Sequence, residues 1–262
     1  MHWKVFVGSA IGKSHIEQNL PCQDFASHDI RNGIFVGVVC DGAGSARESR
    51  QGAEFFSRRV SELLSDVLCR EGLPDDSPEA YRALVEPVVE TVRSQLAAQV
   101  DEQGHVLRDY ACTLVGCLVS AARGAFFHIG DGFAVQQHAD TDTVLSYPEN
   151  GEYADETYFV TEEDWRAHLR VVTLPPMAQG SFIGLMSDGA SAFAIDRSRT
   201  GFYKPFIDPV MAYLSTATDQ QGNDALQNLM ESEKTLAITS DDKTLLLAFP
   251  CPVNAPPCLE TP

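Results

Sequence analysis

The chain has 262 residues, 44% of them hydrophobic, and a formal net charge of −18. That length fits one large domain or two small ones with ample core. The acidic balance argues against nucleic acid or an anionic membrane surface as partner, because both need a basic patch.

In chain order, residues 3–10 and 34–40 are rich in Val, Ile and Phe and read as strands. From Glu48 to about Cys69 the residues Ala53, Phe56, Val60, Leu64 and Leu68 share one helical face. Gly72, Pro74 and Pro78 end that helix, and a second runs from about Glu79 to Val100 with Tyr81, Val85, Val88, Val92 and Leu96 on its stripe. Pro87 lies inside the stripe as a potential kink. Strands are expected at 111–120, 124–129, 133–138 and 143–146. The polar, acidic stretch 147–169 reads as a loop or flap of marginal structure. Strands return at 170–174 and 182–187, helices at about 205–217 and 221–232, and a last strand at 244–249. Helix pairs between strand groups fit neither a parallel βαβ sheet nor an all-β module; they fit an α+β layered sandwich of antiparallel sheets with helices outside. The expected domain is 1–250, with a proline-rich, poorly ordered tail at 251–262.

No apolar run approaches the ~20 residues of a membrane span, and the N-terminal stretch lacks the features of a signal peptide. The seven cysteines form no Cys-x-x-Cys pair, and Cys40, Cys112 and Cys117 lie in apolar runs. They read as buried thiols in a reducing compartment, the cytoplasm.

Three apolar, strand-like runs stop at Asp-Gly: Asp41-Gly42, Asp131-Gly132 and Asp188-Gly189. Asp241-Asp242 opens the last apolar run, and Gln23-Asp24 lies near the start. A single Asp-Gly is an ordinary turn signal. Recurrence at strand ends lets carboxylates converge on one rim, which is costly unless a cation sits among them. All-oxygen ligands suit Mg²⁺ or Mn²⁺.

Gln23-Asp24, Val39 to Gly44, Gly130-Asp131, Ser187 to Gly189 and Asp241 to Thr244, in that order, resemble the motifs of the metal-dependent serine/threonine phosphatases of the protein phosphatase 2C (PP2C) family. Gly12-Lys13-Ser14-His15 and Pro21-Cys22-Gln23-Asp24 look like a bacterial branch. The resemblance implies a four-layer α-β-β-α sandwich of two antiparallel sheets flanked by helix pairs. It implies hydrolysis of phosphoserine and phosphothreonine in proteins by a metal-activated water at a binuclear Mg²⁺/Mn²⁺ centre. By the same resemblance Asp41 bridges two metals, the Gly42 carbonyl holds the second, Asp188 and Asp241 ligate the first, Asp24 supports the second through water, and Asp131 binds a third. The implied partners are a phosphorylated protein substrate and a cognate Ser/Thr kinase.

The chain departs from the family pattern where an arginine usually grips phosphate. The matching segment offers Lys13 and His15, His15 also being the candidate to protonate the leaving group. Ala43 replaces a possible acid histidine, and Gly132-Phe133 removes a further arginine. The alternative reading is a PP2C-fold regulatory or binding module without turnover. A thiol phosphatase built on Cys117 and Arg123 is disfavoured, because Leu-Val-Ser-Ala-Ala between them lacks the glycines of a phosphate-cradling loop.

Overall fold

The computed structural model of the chain describes residues 2–102, 104–138, 143–149 and 157–251. Its strands are β1 (His2–Ala10), β2 (Phe25–Arg31), β3 (Ile34–Cys40), β4 (Leu114–Val119), β5 (Gly124–Ile129), β6 (Phe133–Gln137), β7 (Val144–Ser146), β8 (Arg170–Leu174), β9 (Phe182–Met186) and β10 (Lys243–Cys251). Its helices are α1 (Lys13–Gln18), α2 (Ser49–Glu71), α3 (Pro78–Asp101), α4 (Trp165–His168), α5 (Asp188–Ala194), α6 (Lys204–Thr216), α7 (Asp219–Met230) and α8 (Glu233–Ile238).

The strands form two five-stranded antiparallel sheets, ordered β1-β10-β9-β6-β7 and β2-β3-β4-β5-β8. Each apolar strand has two buried faces, so three apolar layers result. The inner faces meet through Trp3, Phe35, Val115, Phe126, Leu185 and Leu246, with the Trp3 and Phe35 rings stacked at 5.2 Å. The outer face of the second sheet packs on α2 and α3 through Phe56, Val60, Leu64, Tyr81, Val89 and Phe127. The outer face of the first packs on the α5–α8 side through Phe6, Phe193, Ile207, Leu226, Met230 and Leu247. The result is the expected four-layer α+β sandwich.

Several elements were not legible as elements. β2 alternates only weakly, being half-buried along most of its length at a sheet edge. α1 buries none of its six residues, leaving no periodicity to detect. The short helices α5 and α8 were also missed, while α3 runs unbroken through Pro87. Cys251, expected in the tail, is the last residue of β10 and pairs with His2; residues 252–262 lie outside the described residues.

The stretch 147–169 needs a correction over its described part. Val160, Trp165 and Leu169 are buried in the helix-side core, so this stretch is a core contributor and not only a flap; residues 150–156 lie outside the described residues. The guanidinium groups of Arg93 and Arg166 stand 5.5 and 4.7 Å from the centre of the Trp165 ring. Truncating a buried Trp loses both transfer energy and packing, about 3–5 kcal/mol. Trp165→Ala should therefore lower the urea-unfolding free energy by about that amount, with Trp165→Phe losing less. A loss below about 1 kcal/mol would mean the segment is peripheral to the core.

Candidate metal centre

Strand direction brings the acidic residues together. β3 and β5 both pair antiparallel with β4, so they run the same way and end at the same edge. Asp41 follows β3, and Asp131 follows β5 at the crossing into β6, where Gly130 takes a positive φ of 105°. In the facing sheet β9 ends where antiparallel β10 begins, with Met186 opposite Leu245. Asp188 therefore opens α5 directly beside Asp241 and Asp242. Both sheets present these ends to one cavity of ≈ 510 Å³, lined by Asp41, Asp131, Asp188, Asp241, Gly42 and His15.

Local contacts hold each group. The Asp41 amide donates to Thr113 Oγ1 (3.0 Å), and its carbonyl accepts from the Thr113 amide (2.8 Å). Gly42 continues this pairing by bridging to Cys112. A Cβ on Gly42 would stand 2.8 Å from the Gln23 carbonyl oxygen and 2.9 Å from Ser49, so only glycine fits. Asp131 accepts a hydrogen bond from the Thr157 hydroxyl. Asp24 lies buried rather than on the cavity wall; the Ser187 hydroxyl donates to its Oδ2 at 2.7 Å and accepts from the Thr244 amide at 2.9 Å.

The electrostatics show a cluster short of positive charge. Burial, followed by repulsion from Asp24, Asp188, Asp241 and Asp131, holds the Asp41 carboxyl well above the usual carboxylate range. Burial pushes Asp24 up to about 7, with Ser187 opposing the shift and Asp242 adding to it. Asp188 is pushed up to about 6, first by burial and then by Asp131 and Asp241. Asp24 Oδ1 and Asp188 Oδ1 are buried oxygens without a hydrogen-bond donor. Such atoms are expensive unless something positive reaches them. Hard oxygen donors, orphaned oxygens and raised proton affinity together fit a divalent cation.

Among the described residues, no three Asp, Glu, His or Cys side chains close into a ready-made cage. Mg²⁺ does not require one, since it keeps several waters and is commonly held by one or two carboxylates.

The two basic candidates separate. His15 lines the cavity, whereas the Lys13 side chain is 66% exposed and its ammonium faces Glu17 at 3.8 Å. Thr113, Thr157 and Glu162 line the site with no motif to mark them in the sequence, and Asp242 and Ser187, both within the motifs, support it from behind. The Asp-Asp pair was visible, but which member faces the cavity depends on backbone direction. Cys117 lies between the sheets, where burial pushes its thiol up to about 12, and Arg123 donates to the Leu73 carbonyl. The thiol-phosphatase constellation does not form.

The chain matches the family model described as Protein phosphatase 2C over residues 11–231. It is 30% identical over 259 residues to serine/threonine-protein phosphatase 3 of Escherichia coli (strain K12), covering 95% of this chain and 99% of that protein. The fold resembles a bacterial serine phosphatase at TM-score 0.63 and 15% identity, over 94% of this chain and 97% of that one. It also resembles PppA, a key regulatory component of T6SS in Pseudomonas aeruginosa, at TM-score 0.60 and 16% identity, over 95% and 97%. RsbX in complex with magnesium aligns at TM-score 0.54 and 11% identity, over 94% of each chain.

The raised proton affinities set a pH dependence. An acid whose folded pKa exceeds its unfolded value binds more protons when folded, so stability falls as pH rises. For Asp24 and Asp188 that loss runs from about 4, the unfolded value, up through about 7 and about 6. In EDTA the melting temperature should fall between pH 5 and 8, and saturating Mn²⁺ should remove most of that fall. Asp41→Asn should melt higher than wild type in EDTA at pH 8 and gain less from Mn²⁺. A metal-free protein that melts higher at pH 8 than at pH 5 would contradict this charge assignment.

Proposed function

This chain belongs to the protein phosphatase 2C family, and we propose that it hydrolyses phosphoserine and phosphothreonine in proteins at a binuclear Mg²⁺ or Mn²⁺ centre. The carrying observation is the convergence of Asp41, Asp131, Asp188 and Asp241 from both sheets on one cavity with undonated buried oxygens behind it. Asp41 would lie between two ions, with Gly42, Asp188 and Asp241 as further ligands and Asp24 as buried support. Asp131 would serve a third ion. Bound divalent ions supply charge neutralisation for the phosphoryl group and activate water as nucleophile.

The chain's own residues divide the remaining work. Without cations the carboxylates would repel a phosphate dianion, so the acidic wall makes substrate binding conditional on metal. His15 is the one basic side chain among the described residues lining the cavity. In ester hydrolysis the water oxygen joins phosphorus, the P–O bond breaks, and the serine oxygen must gain a proton as it leaves. His15 is placed to donate that proton or to hydrogen-bond the phosphoryl oxygens. The geometry favours it over Lys13 for either task. Partners on this reading are phosphoproteins and the kinase that modifies them, in the cytoplasm. Among the described residues no helix is long and apolar enough to cross a membrane.

Phosphate release from a phosphoserine peptide tests the reading. Turnover should require Mn²⁺ or Mg²⁺, vanish with EDTA, and drop below about a tenth in Asp41→Asn with the fold retained, a loss above 1.4 kcal/mol in barrier terms. Lys13→Ala should keep kcat/KM within about 2-fold, as a screened surface pair predicts. A well-folded, metal-bound wild type without turnover on any phosphopeptide would leave the binding-module alternative standing instead.

A further inference from the structure

Asp242 is buried and accepts three hydrogen bonds, all from the segment that crosses from β1 to β2. The donors are the Gly12 amide at 2.6 Å, the Gln23 amide at 2.5 Å and His15 Nδ1 at 2.8 Å. The Gln23 amide donates to the same oxygen, Oδ2, that meets His15 Nδ1, so that oxygen serves as acceptor to both. The contact therefore makes Nδ1 the protonated nitrogen and leaves Nε2 as the nitrogen free to face the cavity. The His15 side chain is only 12% exposed, so its ring is held rather than solvated.

The same turn is fixed from several sides. Ser14 donates to the Ser240 carbonyl through its amide (3.0 Å) and its hydroxyl (2.7 Å). A Cβ on Gly12 would lie 2.3 Å from the Asp241 carbonyl carbon, so the two backbones touch. Neighbouring residues at a strand entrance point to opposite sides. Asp241 can thus face the cavity while Asp242 turns inward to hold the histidine.

Resting on the phosphatase reading, we propose that Asp242 is the positioning residue of His15. It accepts the Nδ1–H, so that the imidazolium, protonated on both nitrogens, presents its Nε2–H to the leaving oxygen of the phosphoester; a proton given up by the attacking water replaces the one transferred. The pair occupies the role left open by Ala43 after the Asp-Gly motif and by the missing arginine. The competing role is a backbone clamp, since two of the three donors are amides. A clamp would act on every substrate alike and independently of His15.

A double-mutant cycle separates these roles. His15→Gln, Asp242→Asn and the double variant are compared with wild type at saturating Mn²⁺, on a phosphoserine peptide and on p-nitrophenyl phosphate. Each single change should lower kcat on the peptide by about 10–100-fold with little change in KM. The double variant should fall no further than His15→Gln by more than about 2-fold, because coupled residues are not additive. On p-nitrophenyl phosphate, whose leaving group departs without a proton, the losses should shrink to a few-fold. Multiplicative losses, or an Asp242→Asn loss equal on both substrates, would make Asp242 a clamp and overturn the proposal. A His15→Gln variant as active as wild type would also overturn it, while leaving the phosphatase reading intact. A wild type inert on both substrates would sink that reading and this inference together. Should Asp242→Asn not fold, the ¹⁵N shifts of the His15 ring in the wild type decide: a protonated Nδ1 is expected, with Nε2 the nitrogen that gains and loses its proton, and a ring whose Nδ1 is bare overturns the proposal.

Discussion

Mutual repulsion among carboxylates held at the meeting edge of two sheets is the constraint around which this molecule is arranged. Burial and neighbouring charge both raise the proton affinity of Asp41, Asp24 and Asp188. In water such groups would separate. Here they cannot, because each follows or precedes a strand whose register is set by apolar contacts in three layers. Hydrophobic burial, worth roughly 1.5–3 kcal/mol per large side chain, supplies the energy that keeps them together. On the proposed function, a bound cation would relieve the strain of the cluster.

The crossings between sheets do the positioning. The chain passes from the first sheet to the second after β1 and back after β5, and crosses twice more, after β7 and after β8. The first crossing carries His15 and Asp24, and the second carries Asp131. A crossing at a sheet edge must expose backbone, and here Asp242 satisfies two of the freed amides. Ser187 links a third element by joining Asp24 to the β10 entrance. The groups that line the cavity and the groups that tie the sheets together thus lie within one or two residues of each other.

Much of this was readable from the chain, for identifiable reasons. Asp-Gly after an apolar run marks a strand end wherever it occurs, and the long stripes on α2 and α3 marked helices packed on a sheet. The carboxylates at 41, 131 and 188 followed from that punctuation, and Asp241 from the acidic pair that opens the last apolar run. α1 and β2 escaped because they bury little, so no apolar period distinguishes them from loop. Trp165 and Val160 escaped for the opposite reason: isolated apolar residues in an acidic stretch carry no period even when fully buried. Asp242 was visible as a residue but not as a partner of His15, since a contact across 227 positions is fixed only by the β1–β10 pairing. Lys13 and His15 were both candidates to hold phosphate; the helix sends one outward to Glu17 and the other inward to Asp242.

Beneath the cluster lies one fixed cation. Lys243 is buried, and its ammonium donates to the Ile11 carbonyl at 3.3 Å. Burial lowers its proton affinity, while Asp242, Cys22, Asp24 and Asp241 pull in the opposite direction. The carboxylates whose charge reaches it are those of Asp242, Asp24 and Asp241. A single ammonium beside several buried carboxylates leaves the cluster short of positive charge. Protons can supply that positive charge at low pH, but a protonated carboxyl is a poor metal ligand. On the proposed function, the same excess of negative charge would make the site selective: a substrate phosphate would be admitted only after cations had entered, Lys243 and His15 alone being too few to admit it.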